Sequence, residues 1–159
     1  MSDASHRVLV ALAVLAVMAL SWWLLVGDRG TAAVPDGPWQ VSAVVDGDTV
    51  RVVKDGTEET VRLIGIDTPE RDQCGYDGAA RFMADQVQGQ PVTLVSGATT
   101  DRDTYGRLLR YVEHDGVDVG LAQIAAGYAI ARYDSRTNQP HPREDLYREV
   151  DQRTVHICQ

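Results

Sequence analysis

The chain has 159 residues, a formal net charge of −8 at pH 7 and a mean hydropathy of −0.21. Setting aside an apolar N-terminal segment and a short tether leaves the 121 residues from Trp39 to Gln159, enough for one domain with a core of its own and too few for two. Lys54 is the only lysine, and an acidic domain repels polyphosphate on average, which excludes non-specific coating of duplex DNA and demands a local cationic site of anything that handles nucleic acid.

Val8 to Val26 is an uncharged run of 19 residues. A bilayer takes ~20 apolar residues to cross, so the length predicts a transmembrane helix over 8–26, with 1–7 in the cytoplasm. Trp22 and Trp23 lie where an interfacial aromatic belt would place them, and Arg7 before the run orients it with the rest of the chain exported. A cleaved signal peptide ending near Thr31-Ala32-Ala33 is the alternative, and it too exports the domain. Residues 27–38, rich in Gly and Pro, read as a linker before a domain over 39–159.

Within the domain, Val41–Val45 is β-rich and stops at Asp46-Gly47-Asp48. Thr49–Val53 resumes as a strand, Lys54-Asp55-Gly56 signals a hairpin, and Thr60–Ile66 alternates as a third strand up to Pro69. Ala79–Val87 has helical spacing, with Ala80, Met83, Ala84 and Val87 on one face, and Gly89 stops it. Pro91–Val95 and Arg107–Val112 are predicted strands, Val119–Ala126 a helix stopped by Gly127, and Pro142–Arg153 a final charged helix. Consecutive hairpins make the sheet antiparallel. The order predicts an α+β, mainly β fold: a five-stranded OB-type barrel with three helices, preceded by one membrane-spanning helix.

Cys74 and Cys158 are the only cysteines. In an exported domain an even pair suggests a disulfide joining the first helix region to the C-terminus, with two buried thiols as the alternative. No CxxC or close His pair accompanies them, which argues against zinc. His114, His141 and His156 are scattered and read as surface or capping residues, and Asp101 and Asp103 as part of a solvated loop.

Three stretches concentrate chemistry: Asp46-Gly47-Asp48-Thr49, Arg62 to Glu70, and Asp103-Thr104-Tyr105-Gly106-Arg107. Asp48 and Asp67 end neighbouring strands, so pairing of those strands would bring both carboxylates beside the Thr68 carbonyl. Such hard oxygens, completed by water, suit calcium. Glu70 follows at a distance suited to orienting or deprotonating a water. Arg62 and Arg107 present forked, permanent cations that match a phosphate and its pentacoordinate transition state. Each piece alone has an ordinary reading: a hairpin turn at Asp46-Gly47-Asp48, a helix start at Thr68-Pro69-Glu70, a core Tyr105, an exposed strand position at Arg62. Their joint occurrence in order is what carries weight.

VVDGDTV, VRLIGIDTPE and DTYGRLLRYV together resemble the signature segments of the staphylococcal nuclease family, and GYAIARY is similar to its downstream segment, so that the likeness runs from about Val41 to Arg153. The resemblance implies an OB-fold barrel with three helices and calcium-dependent endo- and exonuclease action on DNA and RNA, leaving 3′-phosphate ends. It implies Asp48 and Asp67 as calcium carboxylates, the Thr68 carbonyl as a further ligand, and Asp46 as the acid behind them. It implies Glu70 at the attacking water, Arg62 and Arg107 on the phosphate, and Tyr105 and Tyr133 on the bound nucleotide. Two departures stand out. The loop after Glu70 is short and lacks the lysines of the best-known member, and the C-terminus lacks the usual closing segment, with Cys158 in its place. A calcium site with so few carboxylates is weak and suits an exterior at about 10⁻⁴–10⁻³ M calcium. The reading is a monomeric nuclease outside the cytoplasm, acting on DNA and RNA and attached to the membrane by its N-terminal helix or secreted. The rival is a non-catalytic OB module that binds nucleic acid or a protein.

Overall fold

The computed structural model describes residues 35–158, so the predicted 1–7 and 8–26 segments and residues 27–34 of the linker lie outside the described residues. Among those described, no helix is long and apolar enough to cross a membrane.

Strand β1 (Pro35–Val44) pairs antiparallel with β2 (Thr49–Lys54), and β2 with β3 (Thr57–Leu63). The β2–β3 loop is the two residues Asp55 and Gly56, at φ 51° and 80°, the left-handed pair that a twisted hairpin requires. On its other edge β1 pairs with β5 (Pro91–Val95), which pairs with β6 (Leu108–His114). Pro35 opposes Val95 and Asp36 opposes Leu94, so the end of the expected linker is already in the sheet.

The barrel closes where β6 meets β3, with Val61 opposite Leu108, Arg62 opposite Leu109 and Leu63 opposite Arg110. This seam is parallel, against the expectation of a wholly antiparallel sheet. The reason is parity. A ring of five strands cannot alternate direction all the way round, so four antiparallel pairings force the fifth to be parallel. Alternation along β2 and β3 points Val50, Val52, Val61 and Leu63 inward and leaves Thr49 and Arg62 on the other face as a cross-strand pair.

The expected third strand, 60–66, is two. Gly65, at φ 77°, turns the chain between β3 and β4 (Ile66–Asp67), which pairs with β8 (Ile130–Ala131), Asp67 facing Ile130. A Cβ at Gly65 would sit 2.5 Å from the ring of His141, so close packing as well as backbone conformation calls for glycine. His141 is buried, not a surface or capping residue. Its Nδ1 meets the Tyr111 hydroxyl at 2.8 Å, and Tyr147 packs edge-on against it.

Helix α1 (Tyr76–Val87) buries Ala79, Met83 and Val87, a stripe at i, i+4, i+8. Of the expected face, Met83 and Val87 are buried, whereas Ala80 and Ala84 are half-buried at its flank and Ala79 completes the stripe; the helix also starts earlier than expected, at Tyr76 rather than Ala79. Helix α2 (Val119–Ala125) is capped by Asp118, whose carboxylate accepts the Leu121 N–H. A short strand β7 (Val117–Asp118) precedes it, and a 3₁₀ turn (Ser135–Thr137) leads towards α3 (Glu144–Asp151), two residues shorter at each end than expected. A disulfide joins Cys74 to Cys158, with Cα atoms 5.7 Å apart.

Candidate active site

The site begins in the turn between β1 and β2. Asp46 Oδ1 accepts the backbone N–H of Asp48, an Asx turn that aims the Asp48 carboxylate inward. Gly47 permits the fold: a Cβ there would lie 2.6 Å from Ala79 and 2.9 Å from Thr68. From α2, the fully buried Gln123 bolts the turn in place, its amide donating to the Gly47 carbonyl at 2.7 Å and to that of Ala79 at 3.0 Å. Sequence reading saw only an Ala-rich helix there. A lone Gln in such a helix gives no signal of its partners.

Asp48 is buried and fully engaged. Its Oδ2 accepts both the backbone N–H (3.1 Å) and the hydroxyl (2.9 Å) of Thr68, and its Oδ1 accepts the Thr49 hydroxyl and lies 3.1 Å from Arg62 Nε. Arg62 spans the two carboxylates, with Asp67 Oδ1 at 3.5 Å, while its other N–H groups donate to the Leu63 and Ile66 carbonyls. Five donors serve one guanidinium, so this spoke is fixed and still keeps an N–H to spare. Asp67 is further held by Arg132 at 2.7 Å and by the Tyr133 hydroxyl at 3.4 Å.

Thr49 joins the second arginine to this group: its hydroxyl is 3.5 Å from Arg107 Nη1. Arg107 is aimed by Asp103, which accepts the Arg107 Nε at 2.7 Å and the backbone N–H groups of Tyr105 and Arg107 at 2.9 Å. Asp103 is therefore a positioning residue and not the solvated loop residue expected. Burial alone would raise its pKa, but these hydrogen bonds from Arg107 and Tyr105 win and lower it. Asp46 moves the other way, raised first by burial and then by the adjacent Asp48 carboxylate.

The two aromatic rings flank the arginines. Tyr105 is 84% exposed, which rules out a core role, and lies against the Arg107 guanidinium at 5.4 Å. Tyr133 lies between Arg62 (5.5 Å) and Arg132 (5.3 Å). Its backbone is at φ 59°, a costly conformation for an aromatic residue and one that tends to persist at functional sites. Its hydroxyl pKa is raised by burial and by Asp67. Glu70 sits two residues beyond Thr68 on an exposed loop. Its N–H donates to Gln73 Oε1 at 2.8 Å, and no ion pair among the described residues engages its carboxylate.

Asp48, Asp67, Thr68, Arg62, Arg107, Tyr105, Tyr133 and Asp46 thus form one contiguous constellation, and Glu70 is joined to it only along the chain, two residues after Thr68. Arg132, Thr49, Asp103 and Gln123 belong to it and were missed. Asp103 alone left a readable signal, an Asp four residues ahead of Arg107 across a Tyr-Gly turn.

The family described as staphylococcal nuclease homologue matches residues 60–154. The thermonuclease of Staphylococcus intermedius is 30% identical over 149 residues, covering 87% of this chain and 84% of that protein. The chain belongs to the staphylococcal nuclease family. Other family relatives are longer. An uncharacterized Bacillus anthracis protein is 35% identical over 106 residues, covering 62% of this chain and 49% of its own. Endonuclease YncB of Bacillus subtilis (strain 168) is 37% identical over 96 residues, covering 56% and 45%. The chain thus spans about half the length of these two Bacillus relatives.

Within this family frame the donor chemistry can be tested against a metal. Asp48, Asp67 and the Thr68 carbonyl offer only hard oxygens, which fit calcium and disfavour soft metals. No group of three or more Asp, Glu, His or Cys suited to a metal exists among the described residues, so carbonyl oxygen and water would complete the shell.

Proposed function

We propose that this member of the family is a calcium-dependent nuclease that hydrolyses phosphodiester bonds of DNA and RNA and leaves 3′-phosphate ends. The observation that carries the reading is the Thr49-centred link that joins both arginines and Asp48 in one group, with the exposed Glu70 two residues along the chain from Thr68 and in no ion pair among the described residues. The relatives named thermonuclease and endonuclease support it.

Arg107, fixed through its Nε, keeps its outer N–H groups for two phosphate oxygens, and Arg62 adds its remaining donor from the buried side. Both charges stand ready before the reaction, so they stabilise the extra negative charge of the pentacoordinate transition state without rearranging. Glu70 takes the proton of the attacking water, or holds that water in line with the leaving oxygen. Tyr105 and Tyr133 orient the nucleoside. Calcium, held by Asp48, Asp67 and the Thr68 carbonyl, would supply positive charge at the phosphoryl oxygen.

We further propose that residues 8–26 anchor the domain outside the cytoplasm, or are removed to secrete it, and that the protein acts as a monomer. An exposed disulfide and a weak calcium site both suit that compartment.

The test is cleavage of single-stranded DNA and RNA by the full chain in millimolar calcium and in chelator. Cleavage that needs calcium and is lost in Glu70→Gln is expected. Equal cleavage with chelator would remove the metal from the reading, and no cleavage by a folded, calcium-binding protein would remove the reading itself.

A further inference from the structure

A cavity of about 320 Å³ opens beside the site and shares its wall, since Asp67 and Thr68 line both. Its other walls are Pro69, Tyr128, His156 and the Cys74–Cys158 disulfide. We propose that this cavity is a second nucleotide subsite, which takes the base of the nucleotide on the far side of the scissile phosphate from Tyr105 and Tyr133. The proposal rests on the nuclease reading above.

Four observations carry it. The volume is at the lower end of that of small-ligand pockets and suits one flat heterocycle. No Arg or Lys lines the cavity, Asp67 is at its rim and His156 faces Asp151 at 3.2 Å. That lining disfavours a phosphate and favours a neutral group. Tyr128 is a rigid platform: its ring packs on Phe82 at 5.3 Å, and a Cβ at Gly78 would lie 2.7 Å from it. The remaining wall is fixed as well, because the tail that carries His156 is held by the disulfide and by the Ile157 N–H donating to the Gly127 carbonyl at 3.1 Å. A phosphodiester has a nucleoside on each side, and the two tyrosines beside the arginines serve only one. Stacking on a preformed aromatic wall serves the other without base preference.

The experiment compares two substrates with the full chain: a single-stranded oligodeoxynucleotide, and a methyl ester of one nucleotide, which has neither a second base nor any other ring beyond the phosphate. Tyr128→Ala should raise KM for the oligonucleotide by about tenfold, leave kcat within twofold, and leave both constants for the methyl ester, which reaches no ring into the cavity, unchanged. Tyr128→Phe, which keeps the stacking face, should restore the wild-type KM. Equal losses on both substrates, or no loss on either, would overturn the subsite while leaving the nuclease reading intact. Failure of the wild-type chain to cleave either substrate would overturn the nuclease reading and the subsite with it. A measurement that needs no variant guards against misfolding of Tyr128→Ala. An oligonucleotide carrying 5-iododeoxyuridine next to an uncleavable phosphorothioate should photocrosslink to the peptide with Tyr128 or to that with Pro69–Cys74. Crosslinking confined to Tyr105 and Tyr133 would sink the proposal.

Discussion

Arg107 stands apart from Arg62 in how it is held. Arg62 is nearly spent on the protein, whereas Arg107 is gripped along one edge by Asp103 and otherwise gives the protein only the long Nη1 contact to Thr49. Arg107→Ala is expected to lower kcat by roughly 10²–10³-fold, the range for loss of one preorganised charge donor, with an unchanged circular dichroism spectrum. Single-turnover kinetics at saturating substrate would check it. Asp103→Asn should be milder and should raise KM as well, because the guanidinium is then present but less well aimed. Gly65 makes a different kind of prediction. Gly65→Ala places a methyl group against His141 in a left-handed backbone position, and a loss of about 2–4 kcal/mol in urea denaturation is expected. At this scale the sequence was informative wherever a residue type is itself unusual, as in Asp-Gly-Asp or Asp-Thr-Pro-Glu. It was silent wherever the role depends on a partner far along the chain. Nothing in RYD tells that Arg132 reaches Asp67, 65 positions away.

Among the elements, the short strand β4 carries Asp67 into the site, and its pairing with β8 places Tyr133 beside it. Period-two alternation located the barrel strands, since each has one face in the core. It missed β7 and β8, which have two residues each and too little length for a pattern. It also ran β3 and β4 together, because a glycine inside an alternating stretch reads as a tolerated strand residue until its φ is known. The disulfide is the element-scale link with the largest expected effect. It closes a loop with a sequence separation of 84, which in the chain-entropy model amounts to about 4–5 kcal/mol. Cys158→Ser should lower stability by up to this amount in chemical denaturation. Reduction of the wild-type chain should do the same, and the two losses should not add. A smaller loss would mean that the reduced, unfolded chain keeps the ends near one another.

For the molecule as a whole, parity explains the parallel seam, and that seam brings Arg62 and Leu109 level so that Arg107 arrives beside Thr49. No periodicity along the sequence encodes this closure, because it follows from the count of strands in the ring. The buried ionisable groups set the acid response. His141 has its pKa lowered by burial, so below about 6.5 the unfolded chain takes up a proton that the folded one resists. Stability is therefore expected to fall as the pH drops from about 6.5 through the lowered value, and His141→Gln should flatten that part of the curve. Asp134 adds a second step. Its hydrogen bonds from Arg136, with help from Arg148, hold its pKa at about 2. The stability it contributes is complete above the ordinary carboxylate range and is lost as the pH falls towards about 2. Thermal unfolding across pH 2–8 at fixed ionic strength would separate the two steps.

The bond between Cys74 and Cys158 also bears on how the protein meets proteases. A cut at any point between those two residues, including the loop that carries Tyr105, leaves two pieces that are still one covalent molecule. The pieces share a closed barrel and can stay assembled. A cut ahead of Cys74 gains no such protection, because the strands ahead of the cut are then held only by non-covalent contacts, strand pairing included. In surroundings rich in peptidases, the half of the domain that holds Arg107 and Tyr133 is thus insured against a single nick, and the half that holds Asp48 and Arg62 depends on the tightness of its hairpins.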